Sequence, residues 1–106
     1  MKLRILSLAE TDLLAGFRFY ERQQQGVGSY FLDALYSDIE SLRLYAGLHR
    51  RIHGYHRALS KRFPFGIYYD VGAGEIRVWR VLDCRREPRW ITTQLKKGRT
   101  RMNRKA

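Results

Sequence analysis

Residues 62–90 read RFPFGIYYDVGAGEIRVWRVLDCRREPRW, and the fold turns on how they are read. Phe65, Ile67, Tyr69 and Val71 fall on one parity, and Gly66, Tyr68 and Asp70 on the other, which is the period of a half-buried strand. Gly72-Ala73-Gly74 follows, and two glycines so close supply the positive φ that a tight hairpin turn needs. A second β-rich run, Ile76 to Leu82, completes the hairpin. Pro88 has no amide to give a sheet ladder, so the strand is expected to stop before it. The parity of that second run is mixed: Ile76, Val78 and Leu82 go with Arg80, while Trp79 and Val81 take the other side. A bulge, or a strand covered on both faces, would account for it. Tyr68 and Tyr69 must point to opposite faces, so one is expected in the core and the other open to solvent or a partner.

Around this hairpin the chain has 106 residues, enough for one domain. The charge is unevenly placed. Residues 1–47 hold five Lys/Arg against six Asp/Glu, and residues 48–106 hold 16 against four, so the net +11 belongs to the second half. From Arg85 to Ala106 there are nine basic side chains and one acid, Glu87. Such a field attracts nucleic acid, an anionic surface or an acidic protein. The single cysteine, Cys84, excludes an internal disulfide, makes the cytoplasm the simplest compartment and reads as a small residue near a strand end. No run approaches the roughly 18 apolar residues of a membrane span, so no membrane partner is expected.

Before the hairpin, Lys2 to Leu6 reads as a strand. Ser7-Leu8-Ala9-Glu10 matches a capping box opening a helix to about Gln25, with Leu13, Phe17 and Tyr20 as its apolar stripe and Leu14 beside them. Gly26-Val27-Gly28 is a short connection, Ser29 a cap, and Tyr30 to about Ala46 a second helix with Phe31, Leu35, Ile39, Leu42 and Ala46 inward. Helices joined by so short a loop pack antiparallel. Leu48 to Tyr55 reads as a loop and His56 to Arg62 as a strand. The expected architecture is α+β: an antiparallel two-helix hairpin on a small, mostly antiparallel sheet of about four strands, in the order β-α-α-β-β-β. The domain is expected to span 1–95, with 96–106 a disordered basic tail.

Several pieces in this order carry a resemblance: Ala9 with Asp12-Leu13, Phe19-Tyr20-Glu21, Gly26-Val27-Gly28 before Phe31-Leu32, Arg57 ahead of Phe63-Pro64-Phe65 and Ile67-Tyr68-Tyr69, then Val78, Val81-Leu82 and Arg85-Arg86-Glu87-Pro88-Arg89-Trp90. Together they resemble the RelE/ParE superfamily, the toxins of bacterial type II toxin–antitoxin pairs, often labelled plasmid stabilisation proteins, and the ParE-like branch more than the RelE-like one. Asp83 departs from the His common in that branch, and the basic tail after Trp90 is an addition. The resemblance implies two helices on an antiparallel-rich sheet and a cognate antitoxin whose C-terminal segment wraps the toxin. It also implies one of two targets, DNA gyrase or the mRNA in a ribosomal A site.

Metal-independent RNA cleavage needs a base, an acid and cations around the phosphate. His56, Lys61, Tyr68, Arg85 and Arg86 are the candidates for it. Trp90 stands in the terminal segment where RelE-like nucleases resemble one another in carrying Tyr or His, and an indole transfers no proton. Gyrase poisoning needs only a complementary surface, for which Arg50, Arg51, Arg57, Arg85, Arg86, Arg89 and Trp90 are the candidates. Gyrase is therefore the favoured target, with a ribosome-dependent mRNA endoribonuclease as the first alternative and a non-toxic nucleic-acid-binding module as the second. His49, His53 and His56 lie near one another without a Cys or carboxylate to complete a metal site, so no metal or cofactor is expected. The partner is expected to be an antitoxin with an acidic, amphipathic C-terminal segment that folds on binding.

Overall fold

The computed structural model describes residues 1–105, and side chains through Lys97. Its centre is the expected hairpin: strand β4 (Phe65–Gly72) and strand β5 (Glu75–Asp83) are antiparallel, with Gly72 opposite Glu75. Ala73 and Gly74 form the two-residue turn, both with positive φ (52° and 75°), the geometry whose twist suits a hairpin. Tyr68 faces Arg80 but Tyr69 faces Val78, so Trp79 is the extra residue of a bulge. That bulge explains the mixed parity: Ile76, Val78 and Val81 all reach the same core, while Trp79 and Leu82 reach the other side.

Strand β1 (Lys2–Ile5) adds in parallel to Glu75–Val78 of β5. On the other flank, β3 (Tyr55–Leu59) pairs with β4, and a two-residue β2 (Arg51–Ile52) pairs with β3. The sheet therefore has five strands in the order β1-β5-β4-β3-β2. The short β2 lies in a stretch read from sequence as loop. It is made possible by a second turn with two positive-φ residues, His53 and Gly54.

Helix α1 (Ser7–Gln23) and helix α2 (Val27–Glu40) form the antiparallel pair on one face. Neither starts as expected. Leu6 is still bonded to Val78 of the sheet, so α1 begins at Ser7 with no side-chain cap, and the capping box does not form. For α2 the cap is Glu21 and not Ser29: its carboxylate accepts the amides of Gly26 (3.0 Å) and Gly28 (2.9 Å), a negative charge at the positive end of the helix. Ser41 ends α2 early, and a single turn, α3 (Leu42–Tyr45), follows.

The first core lies between helices and sheet. It holds Ala9, Leu13, Phe31, Leu35, Ile39, Leu42, Ile67, Tyr69 and Val78, with Tyr20 packed against it, while Leu14 faces solvent. A glycine lets the helices meet: a Cβ on Gly16 would lie 2.5 Å from the Phe31 ring.

The opposite sheet face is covered as well. Helix α4 (Pro88–Lys105) follows β5 and lays Trp90, Ile91 and Leu95 over Tyr55, Tyr68, Trp79 and Leu82. Pro88 opens it, as suits a residue with preset φ and no amide to satisfy. Tyr68 (1% exposed) is therefore as buried as Tyr69 (0%), which corrects the expectation that one of them is open. The expected tail at 96–106 falls mostly on 98–106, outside the described side chains. Among the described residues no helix is long and apolar enough to cross a membrane.

Candidate functional site

The end of β5 and the start of α4 build a charged corner. Asp83 accepts from the Arg85 amide (2.8 Å) and from its guanidinium at both carboxylate oxygens (3.0 and 2.8 Å). Burial pushes the Asp83 carboxyl up, but the hydrogen bonds from Arg85, with its charge and that of Arg86, outweigh it and hold it below the usual carboxylate value. One turn on, the Arg86 guanidinium lies 3.9 Å from the centre of the Trp90 ring, a cation–π contact that orients both. Arg89 is exposed beside Pro88.

Next to this corner a groove of about 310 Å³ runs between α1 and β5. Phe19, Phe65 and Leu82 supply apolar walls, and Asp12, Asp83 and Arg86 supply charge. The groove exists because β1 pairs only as far as Val78, which leaves the rest of β5 without a strand on that side. Asp12 covers part of the gap by accepting the Val81 amide (3.0 Å) and Arg80 Nε and Nη2 (2.8 Å each). Arg80 continues to α4, donating to the Gln94 carbonyl (2.6 Å). A nearly buried guanidinium thus ties α1, β5 and α4 into one unit. Neither Asp12 nor Arg80 is among the site residues expected from sequence, although an arginine on the inner parity of a strand was the available sign of a buried partner.

The candidate residues named for RNA cleavage do not converge. His56 packs flat on Tyr69 on the α1–α2 side of the sheet (ring centres 5.2 Å apart), and its Nδ1 donates to the His49 carbonyl (2.7 Å). Tyr68 is on the opposite side, where burial raises its phenol and Arg57, hydrogen-bonded to it, partly offsets that. Arg57 and Tyr68 stand directly across β3 and β4 from one another. Cys84 is close to both, and its thiol too is raised by burial. Lys61 is exposed on the β3–β4 loop, where its amide donates to Asp38 (3.2 Å). Arg85 and Arg86 occupy the corner described above.

The remaining arginines are elsewhere. Arg50 is exposed just before β2 and Arg51 exposed as its first residue, donating to the Gly54 carbonyl (3.1 Å). That segment is pinned by Tyr69, whose phenol oxygen accepts the Gly47 amide (3.0 Å) and lies 2.5 Å from His49 Nδ1. Of the arginines named for target binding, Arg85, Arg86 and Arg89 stand together beyond the Asp83 end of the β4–β5 hairpin, and Arg50 and Arg51 at the β2 edge of the sheet, level with Tyr68 and Tyr69. Among the described residues no three His, Cys, Asp or Glu side chains come together in a way that could hold a metal ion.

No family model matches the chain, and no curated protein does. Among solved structures it is similar to a chain from the chromosomal ParDE TA system of P. aeruginosa, with a TM-score of 0.70 at 20% sequence identity, covering 76% of this chain and 92% of that one. That likeness is one of fold.

Proposed function

We propose that this protein is the toxin of a bacterial toxin–antitoxin pair of the ParE-like kind. It acts by binding a macromolecular target, DNA gyrase first among them, and is silenced by an antitoxin with an acidic C-terminal segment. The observation that carries this reading is the fold held in common with a chain of a ParDE system, together with the ordered residues that resemble the ParE-like branch. The corner of Arg85, Arg86, Arg89 and Trp90 with its groove supplies the surface. Asp83 and Trp90 hold two of the guanidinium groups in place, and side chains fixed before binding lose less entropy when a partner arrives. The groove is partly apolar, which suits an amphipathic segment.

The alternative of an mRNA endoribonuclease is less well supported. His56 and Tyr68 face opposite sides of the sheet, and burial raises the Tyr68 phenol, so neither is placed to share a phosphate with the other. Induced expression is expected to arrest growth, and co-expression of the adjacent reading frame to restore it. With purified gyrase and supercoiled plasmid, the protein is expected to accumulate linear DNA. Arg85→Ala with Arg86→Ala is expected to abolish arrest while leaving the melting temperature close to wild type, because both side chains are on the surface. New mRNA ends in a translation extract, with no linear plasmid, would favour the nuclease.

A further inference from the structure

The segment from Leu42 to Ile52 carries a surface of a different kind. Leu48 (79% exposed) and Leu44 (78%) are the most exposed large apolar side chains among the described residues, and Tyr45 (52%) stands with them. Single exposed leucines are ordinary. Three large apolar residues within five positions, on a segment held in place, are not. The Leu48 amide donates to the Tyr45 carbonyl (3.2 Å). Arg43 reaches the Met1 carbonyl (3.0 Å). Tyr69 takes the Gly47 amide and touches His49. The tip is therefore fixed with its leucines held in water, a preorganised arrangement that costs little further entropy to bind.

At its start Arg43 is neutralised by the exposed carboxylate of Glu40, and beyond that pair its charge is positive: between Glu40 and Asp70 the sequence has no acid, and Arg50 and Arg51 follow the leucines.

We infer that this tip docks an acidic protein whose own apolar pocket receives Leu44 and Leu48. A second copy fits poorly, since each chain carries +11 and would present the same arginines. Nucleic acid matches the arginines but gives the leucines nowhere to go. A lipid surface is gripped by an amphipathic helix long enough to bury an apolar face, whereas α3 here is a single turn, Leu42–Tyr45; arginine and tyrosine are enriched at protein interfaces. The surface is separate from the corner of Arg85 and Trp90: Tyr69, which anchors the tip, is four residues along β4 from Phe65, about 13 Å at ~3.3 Å per residue. It stands whether or not the protein is a toxin.

A photo-crosslinking amino acid placed at Leu48 in the full chain, activated in cells, captures whatever seats on the tip. The expected product is a protein of negative net charge. Purified and titrated calorimetrically, that protein is expected to bind wild type at least about tenfold more tightly than the Leu44→Ser, Leu48→Ser variant. Arg50→Glu with Arg51→Glu is expected to slow association and flatten its salt dependence. Thermal melting of each variant confirms folding, and Leu48→Ser alone replaces the double change if that fails to fold. A crosslink to a second copy, to nucleic acid, to lipid or to a basic protein overturns the inference. So does the absence of a crosslink, or an unchanged Kd in the leucine variant.

Discussion

At the scale of single residues, the phenol of Tyr69 does more than fill the core. It is buried among Ile67, Val78 and the α2 side chains, yet its oxygen collects the Gly47 amide and His49, so one side chain ties the segment before β2 to the sheet. With the Gly47 amide donating to it, the phenol is free to donate in turn to Nδ1 of a neutral His49. Burial, and then the neighbouring His56, lower the His49 pKa below its ordinary 6.5. The folded state thus binds fewer protons than the unfolded chain just below that value, and stability rises with pH there. It is fully present above about pH 6.5 and is lost as pH falls toward the folded value. Urea unfolding is expected to show a lower midpoint at about pH 5.5 than at about pH 7.5, and His49→Gln to flatten the difference. An unchanged slope in that variant would remove His49 from the account. The sequence showed three histidines close together, but not that one of them would face a buried tyrosine from across the sheet.

At the scale of elements, what could be read was whatever has a period. The β4 alternation, the Gly72–Gly74 turn and the α2 stripe of Phe31, Leu35 and Ile39 all appear as expected, because each follows from geometry within a few residues. Helix caps were missed where a distant group decided them: Leu6, bonded to Val78, stands at the cap of α1 in place of Ser7, and Glu21 caps α2 from the preceding helix. Helix α4 was missed because Trp90, Ile91 and Leu95 are sparse among Arg and Lys, although Pro88 followed by Ile91 and Leu95 at i, i+4 was a faint sign of it. The helix crossing rests on Gly16. Alanine there gains roughly 1 kcal/mol of helix propensity but puts a methyl 2.5 Å from the Phe31 ring. That ring is fully buried and packed against Tyr20, Phe63 and Phe65, so it has no room to yield. Overpacking of this kind costs about 1–3 kcal/mol, and the clash is expected to win: Gly16→Ala lowers the urea midpoint. A rise would mean that the two helices can slide apart without loss.

At the scale of the molecule, the net charge of +11 belongs in sequence to the second half of the chain, and folding divides it. Arg4, Arg77, Arg80 and Arg85 are paired with Glu75, Asp70, Asp12 and Asp83, which the sequence could not reveal because three of the four pairs join residues of different elements. Of the arginines not so paired, Arg50 and Arg51 lie at the β2 edge of the sheet, and Arg86 and Arg89 beyond the far end of β5. Counterion release depends on how many phosphates one protein neutralises at once. A rigid duplex laid along either group meets only part of the total charge. Anisotropy titrations of the lone protein with a short duplex are therefore expected to give a shallow slope of log K against log salt. Fewer than six phosphates are expected, and so less than about a thousandfold loss of affinity between 50 and 200 mM salt. A steeper slope would place many cations on one strand at once and would favour the nucleic-acid-binding module over a protein-directed toxin. A shallow one leaves the arginines to local work, each group matched to its own acidic partner through a few fixed contacts.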